Sequence, residues 1–330
     1  MAKVSLSNSK SFLCEENMTI FEAAKSNHIA LEHSCLIARC RSCIVKLDSG
    51  ETKDRLDDLI LTEAEIQDGF RLACNAIPLG DVSIDVEDLG DVVLYEKKIV
   101  PAKIRMITRI TEDTMRVDLR LPPNTALRYN PGQYVNLSRG ELKRSYSIAN
   151  AVSNEEGLTF FIKKYEAGLM SKYWFEEAKI DDLLRVEGPL GSFFLRSLES
   201  ENIIFLATGT GVAPVKAILE WVNQNAQDFQ SKKIWFIYGA RFEQDLYWKP
   251  IELGAILNLN FIPVLSRPSD RWTGEKGYVQ EVVFRKNINV KNAQVYACGS
   301  SAMIASAKKM LVQNGLDPRR FFSDAFVATN

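Results

Sequence analysis

Four cysteines in the N-terminal part of the chain have the types and spacing of metal ligands. Cys35, Cys40 and Cys43 follow a C-x4-C-x2-C pattern, and Cys74 stands alone further along the chain. This is the plant-type spacing of the thiolates that hold a 2Fe–2S cluster. A zinc ribbon, the alternative, usually has two pairs of closely spaced cysteines, which an isolated Cys74 does not provide. We therefore predict that these four cysteines are the metal ligands of a 2Fe–2S cluster.

A second group, Arg144-Ser-Tyr146-Ser147, has the chemistry that a flavin dinucleotide needs. Arg144 offers a cation for the pyrophosphate, Tyr146 an aromatic face, and Ser147 a hydroxyl near the reactive N5 atom. The pattern alone also occurs by chance, but companion candidates follow it in order: Ile162, Lys163, Gly168, Met170 and Ser171. Gly168 and Ser171 open a predicted helix, where N–H groups can bind a phosphate; the alternative is a plain serine cap.

A glycine-rich turn lies between a predicted strand, IIFLA, and a predicted helix. Glycines there let the backbone approach a pyrophosphate at the N-terminus of the helix. The turn lacks the third glycine of the G-x-G-x-x-G fingerprint, and its alternative interpretation is a simple strand–helix connection. The candidate nucleotide-binding residues in this turn are Thr208, Gly209, Thr210, Gly211 and Pro214.

The pattern of apolar residues predicts three units that position these groups. Residues 1–92 contain short strands and turns around the cysteines, and residues 93–101 form a linker or an edge strand. Residues 102–197 contain short strands separated by Pro, Gly, Asn and Asp, which predicts a barrel or sandwich. Residues 198–330 alternate strands with helices, which predicts a parallel α/β sheet.

In this order the motifs resemble those of the ferredoxin–NADP reductase superfamily, preceded by a domain similar to plant-type ferredoxins. The resemblance implies a β-grasp ferredoxin domain, a Greek-key β-barrel that binds FAD, and a Rossmann-like domain that binds NADH or NADPH. We call the segment that contains Cys35, Cys40 and Cys43 the cluster loop. Ferredoxin loops usually carry glycine at the positions of Ala38 and Arg41, so the cluster loop departs from the family there. Two strand ends also match family motifs and add Tyr238, Gly239, Arg241, Cys298, Gly299 and Met303 to the cofactor-binding set.

The resemblance also implies which residues lie at the hydride-transfer site. Cys298 is expected beside that site, Ser147 near the flavin, and Phe326 over the flavin face that the nicotinamide must occupy. A 2′-phosphate on the nucleotide would need clustered cations and hydroxyls. The residues available for it are Ser266, Arg267, Lys276 and Tyr278, and the choice between NADH and NADPH stays open.

Composition and charge limit the classes of partner. The 330 residues include 41 Lys and Arg against 42 Asp and Glu, and 46% are apolar. This globular profile argues against nucleic acid or an anionic membrane as a partner. No apolar run approaches the ~18 residues of a spanning helix, so we expect no membrane insertion and a cytoplasmic location, where thiols stay reduced. A redox partner must then dock on a local patch, for which Arg39 and Arg41 are exposed candidates.

Together these sites indicate an NAD(P)H-dependent oxidoreductase that transfers electrons to a partner protein. NAD(P)H gives up two electrons as a hydride, whereas a 2Fe–2S cluster accepts one electron at a time. FAD can link them, because it accepts a hydride and then releases its electrons singly. The resemblance is greatest to the CDP-6-deoxy-delta-3,4-glucoseen reductase family of deoxysugar and lipopolysaccharide biosynthesis. This implies a partner dehydrase with pyridoxamine phosphate and its own iron–sulfur cluster, which carries out C-3 deoxygenation for CDP-3,6-dideoxysugars. Two alternatives stay open: the reductase component of a bacterial mono- or dioxygenase, and a non-catalytic redox sensor.

Overall fold

The computed structural model describes residues 1–330 except 34, 35, 40, 58, 59, 91, 124, 126, 153–156, 197, 198 and 327–330. The chain divides into two compact units, Met1–Leu94 and Tyr95–Asn330. The first is a mixed α+β unit, and the second combines a barrel-like sheet with a parallel α/β sheet, so the predicted fold class is confirmed. In the described part of the chain, each helix is too short or too polar to cross a bilayer.

The first unit is a small mixed sheet covered by a helix. Its elements are β1 (Ala2–Leu6), β2 (Ser11–Cys14), α1 (Ile20–Ser26), β3 (Ile44–Ser49), β4 (Thr52–Asp54), α2 (Glu63–Gln67), β5 (Phe70–Leu72), β6 (Ala76–Pro78) and β7 (Val82–Ile84). Five strands lie in the order β2-β1-β7-β3-β5, and β4 pairs with β6. A capping box between Thr19 and Glu22 begins α1, and its buried Phe21 and Ala24 share one apolar core with β1 and β7. The sheet and this helix position the cluster loop between α1 and β3.

The second unit begins with six antiparallel strands that curl into a barrel. Its elements are β8 (Lys98–Arg109), β9 (Thr114–Arg120), β10 (Tyr134–Arg139), β11 (Leu142–Ser147), β12 (Leu158–Lys163), α3 (Leu169–Lys172), a π-helical turn (Tyr173–Glu177) and β13 (Leu183–Leu190). The strand order is β11-β10-β13-β8-β9-β12. The two ends of this order meet where the Ala149 N–H donates to the Thr159 carbonyl at 2.8 Å. Because β8 begins at Lys98, the end of the predicted linker 93–101 is strand.

A six-stranded parallel sheet follows the barrel. Its elements are β14 (Asn202–Thr208), α4 (Val212–Gln224), β15 (Lys233–Ala240), β16 (Leu259–Leu265), β17 (Glu275–Lys276), α5 (Val279–Arg285), β18 (Ala293–Gly299), α6 (Ser301–Gln313) and β19 (Phe321–Ala325). The strand order is β17-β16-β15-β14-β18-β19. Alternate residues of β14 enter different cores: Phe205 packs with α4, whereas Leu206 packs with α5 and α6. The helices therefore cover both faces of the sheet, as parallel strands require.

The barrel and the parallel sheet share one apolar core. Phe161 and Phe193 from the barrel side lie in the same buried cluster as Phe205 of β14 and Val215 of α4. Phe193 also packs edge-on against Tyr296 of β18, with ring centroids 5.9 Å apart. The predicted boundary between these two parts falls on residues 197 and 198, which lie outside the described residues, and it stays a prediction.

Candidate cofactor-binding and hydride-transfer site

Cys43 and Cys74 lie on neighbouring segments of the first unit. Cys43 immediately precedes β3 and is buried, whereas Cys74 follows β5 and is half-buried. The segments pair where the Ala73 N–H donates to the Cys43 carbonyl at 2.8 Å. The fold thus brings the isolated cysteine to the cluster loop, as a four-thiolate ligand set needs. The other two predicted ligands, Cys35 and Cys40, lie outside the described residues.

The cluster loop has a left-handed backbone at residues that are not glycine. The φ angle is 57° at Leu36, 58° at Ala38 and 62° at Arg41. Ala38 and Arg41 occupy the positions where ferredoxins usually carry glycine, so the loop keeps a glycine-type conformation without the glycines. Each L-residue in this region costs roughly 1–2 kcal/mol, and other contacts of the loop must offset that free energy.

The Arg41 side chain supplies contacts of this kind. Its guanidinium donates to the Glu65 carboxylate, with one N–O distance of 3.2 Å, and to the Ile60 carbonyl at 3.1 Å. The hydrogen bond from Arg41 lowers the pKa of Glu65 to about 2, so the carboxylate is ionised. Arg41 is less exposed than expected, because Glu65 at the start of α2 holds it half-buried, and its part in docking stays a prediction. Arg39 is exposed.

Two substitutions at Arg41 separate the ion pair from the backbone conformation. Arg41→Ala removes the ion pair and keeps a Cβ in the left-handed region, so the free energy of unfolding should fall by at most about 1 kcal/mol. Arg41→Gly also removes the pair but relieves the backbone, and should be about 1 kcal/mol more stable than Arg41→Ala. Urea unfolding followed by the visible absorbance of the cluster measures the difference. At an ordinary right-handed position glycine would be the less stable of the two, and that order would contradict the prediction.

The three R-x-Y-S residues lie at the end of β11. The ring of Tyr146 packs edge-on against Trp174, and its hydroxyl accepts a hydrogen bond from Trp174 Nε1 at 3.0 Å. Burial raises the pKa of Tyr146 to about 12, so the phenol is neutral near pH 7. Ser147 is buried, and the guanidinium of half-buried Arg144 donates to the Lys143 carbonyl at 2.8 Å. The three residues of the motif therefore lie close together at the end of one strand.

Strand β12 carries two further flavin candidates. Ile162 is buried in the barrel core. Lys163, the last residue of the strand, forms an ion pair with Asp113 in the turn between β8 and β9, with an N–O distance of 2.6 Å. This ion pair fixes the end of β12 against the neighbouring hairpin.

The Gly-x-x-Ser segment begins helix α3. Gly168 is its N-cap residue, and Met170 is buried in the barrel core. Ser171 Oγ accepts a hydrogen bond from the Tyr165 N–H at 2.9 Å, so Ser171 fixes the turn that leads into the helix. Ser171 is thus not the N-cap residue that the alternative interpretation expected, because Gly168, which has no side chain that could cap the helix, occupies that position. Phosphate binding at the segment stays a prediction.

The glycine-rich turn, which we call the nicotinamide loop (Thr208–Pro214), connects β14 to α4. Its Gly209–Gly211 segment is a 3-10 turn, and Gly209 has a φ of 55°. A Cβ at Gly211 would lie 2.2 Å from the Cys298 carbonyl oxygen. Glycine is therefore required at Gly211 by the close approach of β18. The remaining members are Thr208 at the end of β14, buried Thr210, and Pro214 in the first turn of α4.

The ends of β14, β15 and β18 meet at the C-terminal edge of the parallel sheet. Thr208 lies beside Gly239 of β15 in the strand register, and a Cβ at Gly299 would lie 2.2 Å from Thr208 Oγ1. Open α/β sheets bind their ligands outside this edge. The other predicted residues there are buried Tyr238, exposed Arg241, and half-buried Met303 in the first turn of α6.

Cys298 and Phe326 lie at the same edge. Cys298 is fully buried, and burial raises the pKa of its thiol well above the usual value, so the sulfur is protonated. The Phe326 N–H donates to the Gly299 carbonyl at 3.0 Å, and its ring packs against the apolar cluster that contains Cys298. The fold therefore brings the predicted thiol and the predicted covering aromatic to the nicotinamide loop.

The residues considered for a 2′-phosphate also gather at this edge. The Ser266 N–H donates to the Ala240 carbonyl and the Arg267 N–H to the Arg241 carbonyl, each at 3.0 Å. Lys276 pairs in register with the end of β16, and exposed Tyr278 follows shortly after it. The arrangement places cationic and hydroxyl groups together beyond β15 and β16.

Tyr247, which is not among the predicted site residues, contacts the nicotinamide loop. Its hydroxyl donates to the Gly209 carbonyl at 3.3 Å, and its ring packs edge-on against Phe161 of β12 at 5.3 Å. Tyr247 lies in an irregular segment, where neither strand nor helix periodicity indicates which way a side chain points. The signal that could have found it is the sequence Asp245-Leu-Tyr247, which follows Tyr238, Gly239 and Arg241 and is part of the same family motif.

Comparison with known proteins identifies the domain types in order. The model of the 2Fe-2S iron-sulfur cluster binding domain matches residues 5–79, that of the oxidoreductase FAD-binding domain residues 101–195, and that of the oxidoreductase NAD-binding domain residues 205–309. The chain is therefore an oxidoreductase that uses a 2Fe–2S cluster, FAD and a nicotinamide nucleotide.

Similar proteins cover nearly the whole chain. The CDP-6-deoxy-L-threo-D-glycero-4-hexulose-3-dehydrase reductase of Yersinia pestis is 36% identical over 96% of this chain and 95% of its own. The electron transfer component of toluate 1,2-dioxygenase from Pseudomonas putida is 29% identical over 94% of this chain and 93% of its own. The cytochrome P450 reductase GcoB of Amycolatopsis shares the fold, with a TM-score of 0.71 at 24% identity over 99% of both chains. The chain belongs to the ferredoxin–NADP reductase superfamily, among the iron–sulfur flavoprotein reductases whose 2Fe–2S domain precedes the FAD and NAD domains.

Proposed function

We propose that the electron acceptor is a dehydrase of CDP-linked deoxysugar biosynthesis, and that this reductase supports C-3 deoxygenation on the route to CDP-3,6-dideoxysugars. The observation that supports this proposal is the sequence identity: 36% over 96% of the chain with a dehydrase reductase, against 29% over 94% with a dioxygenase component. In this proposal the dehydrase carries pyridoxamine phosphate and its own iron–sulfur cluster. The reductase takes a hydride from NAD(P)H and delivers single electrons to it.

The residue roles belong to the same proposal. Arg144, Tyr146 and Ser147 hold the flavin, and the nicotinamide loop with Cys298 and Phe326 orients the nucleotide beside it. The domains span 1–92, 102–197 and 198–330 in the same order as the cofactors. The reductase works in the cytoplasm, because its four cluster thiolates require a reducing compartment.

Anaerobic titration tests the first half of this function. Adding NADH to the holoprotein should abolish the flavin absorbance near ~450 nm, because the flavin accepts the hydride. The initial rates of flavin reduction by NADH and by NADPH, measured in parallel, identify the preferred nucleotide. A flavin that stays oxidised with cofactors bound would instead support the redox-sensor alternative.

Reoxidation of the reduced protein tests the identity of the acceptor. The anaerobically reduced holoprotein is mixed with a purified dehydrase and its CDP-4-keto-6-deoxy sugar, and flavin absorbance and sugar product are followed together. The proposal expects fast reoxidation that depends on the dehydrase and yields the C-3 deoxygenated sugar. Fast reoxidation by a terminal oxygenase component and none by the dehydrase would favour the oxygenase alternative, which the dioxygenase relative supports.

A further inference from the structure

Two phenol groups converge on a single carbonyl of the nicotinamide loop. The Tyr238 hydroxyl lies 3.2 Å and the Tyr247 hydroxyl 3.3 Å from the Gly209 carbonyl oxygen. The Tyr238 hydroxyl also lies 3.3 Å from the Asp245 carbonyl, in the segment that leads to Tyr247. The Gly209 carbonyl also accepts the Val212 backbone N–H within the 3-10 turn, and Gly209 has a left-handed backbone. The two phenols therefore add side-chain partners to a carbonyl at the first residue of this turn.

Tyr247 also contacts the flavin-binding barrel. Its ring packs edge-on against Phe161, with centroids 5.3 Å apart and planes at 74°. Phe161 lies on β12 directly before Ile162 and Lys163, the strand residues predicted to contact the flavin. One side chain therefore contacts both the strand that presents the flavin and the loop that presents the nicotinamide.

Both phenols remain protonated and able to donate. Burial, together with Asp245, raises the pKa of Tyr238 far above its usual value. Burial and the Tyr238 hydroxyl raise the pKa of Tyr247 well above its usual value, and the nearby carboxylates of Asp113 and Asp245 act in the same direction. Both hydroxyls therefore keep their protons near neutral pH and can donate hydrogen bonds.

We propose that Tyr247 is a positioning residue for hydride transfer, which uses its hydroxyl on Gly209 and its ring on Phe161 to hold the nicotinamide loop at a fixed distance from the flavin strand. Tyr238 supports it through its own hydroxyl, 3.2 Å from the same carbonyl oxygen. The reaction moves a hydride, with its two electrons, from the reduced nicotinamide to the oxidised flavin, which also takes a proton from solvent; Tyr247 gains and loses no atom. The proposal rests on the NAD(P)H-to-flavin half of the proposed function and does not depend on which protein accepts the electrons.

Such a residue should affect the rate of the reaction more than the binding of the nucleotide. Hydride transfer requires the reacting atoms within about 3–3.5 Å, and a misplacement of about 1 Å can cost 100-fold in rate. Loss of the hydroxyl alone leaves the ring contact with Phe161, so its effect should be smaller than loss of the whole side chain. The two contacts of Tyr247 can therefore be tested separately.

Anaerobic stopped-flow reduction of the holoprotein by NADH gives both the limiting rate constant and the apparent dissociation constant. Tyr247→Phe should lower the limiting rate constant of flavin reduction about 10-fold, and Tyr247→Leu about 100-fold, with less than about a twofold change in the dissociation constant. The matched control is Tyr129→Phe, which removes another buried phenol whose hydroxyl donates to the Asn150 and Ala151 carbonyls at 3.1 and 3.2 Å within the barrel. Its limiting rate constant should equal that of the wild type.

Thermal unfolding and flavin content of each variant show whether it is folded, and Tyr247→Phe decides the question if Tyr247→Leu does not fold. The proposal is overturned if Tyr247→Phe reduces its flavin as fast as the wild type, if it raises only the dissociation constant, or if Tyr129→Phe is slowed equally. Failure of the wild type itself to be reduced by NADH would instead refute the proposed function, so the two failures are distinguishable.

Discussion

Cys43→Ser is expected to abolish the reduction of cytochrome c by NADH while the flavin is still reduced. Cys43 is buried immediately before β3 and lies beside the segment that carries Cys74, another predicted ligand. A serine there supplies a poorer ligand than a thiolate, and the 2Fe–2S cluster should be lost or altered. The barrel and the nicotinamide loop belong to the other compact unit and stay intact. Steady-state cytochrome c reduction and anaerobic flavin bleaching measure the two activities separately.

Cys14→Ser is the control for this substitution. Cys14 is a buried cysteine of the same unit, and its thiol lies 3.4 Å from the Met18 carbonyl, outside the predicted ligand set. Both activities should survive in it, together with the visible spectrum of the cluster. Equal loss of cytochrome c reduction and flavin reduction in Cys43→Ser would show that the cluster has only a structural role.

Gly211→Ala is expected to slow flavin reduction by NADH by about 100-fold, because displacement of a loop by about 1 Å is enough for such a loss. The φ angle of Gly211 is −60°, which any L-residue adopts, so the substitution adds no backbone strain. The added Cβ would lie 2.2 Å from the Cys298 carbonyl oxygen and 3.0 Å from the Gly299 nitrogen. Either the nicotinamide loop or the end of β18 must therefore move. Stopped-flow reduction by NADH measures the effect, and FAD content should be unchanged.

Gly80→Ala is the matched control, since a Cβ there meets nothing within 4 Å among the described residues. It should reduce its flavin at the wild-type rate. A wild-type rate in Gly211→Ala would show that the close approach of the loop to β18 has no part in hydride transfer. Loss of FAD from Gly211→Ala would show that the clash is transmitted to the barrel.

The sequence predicted best those features that depend on the spacing of motif residues and on the periodicity of apolar residues. The cysteine spacing predicted the domain that the 2Fe–2S family model matches, and the alternation of apolar runs predicted the strands and helices around β14, α4 and α6. Chain order alone cannot show that a distant carboxylate holds a loop arginine, and the pairing of Arg41 with Glu65 was therefore not predicted. Tyr247 was missed for a related reason, because its contacts with Gly209 and Phe161 join segments far apart in the chain.

The shared core of the second unit limits how the nucleotide can reach the flavin. Interfaces between domains of one chain are usually polar and allow the domains to move. Here Phe161 and Phe193 of the barrel side are buried in the same cluster as β14 and α4, so a hinge rotation would expose that cluster to water. The Phe326 ring also packs against this cluster, and its N–H donates to the Gly299 carbonyl. Exchange of the nucleotide is thus expected to take place with the barrel and the parallel sheet remaining packed together.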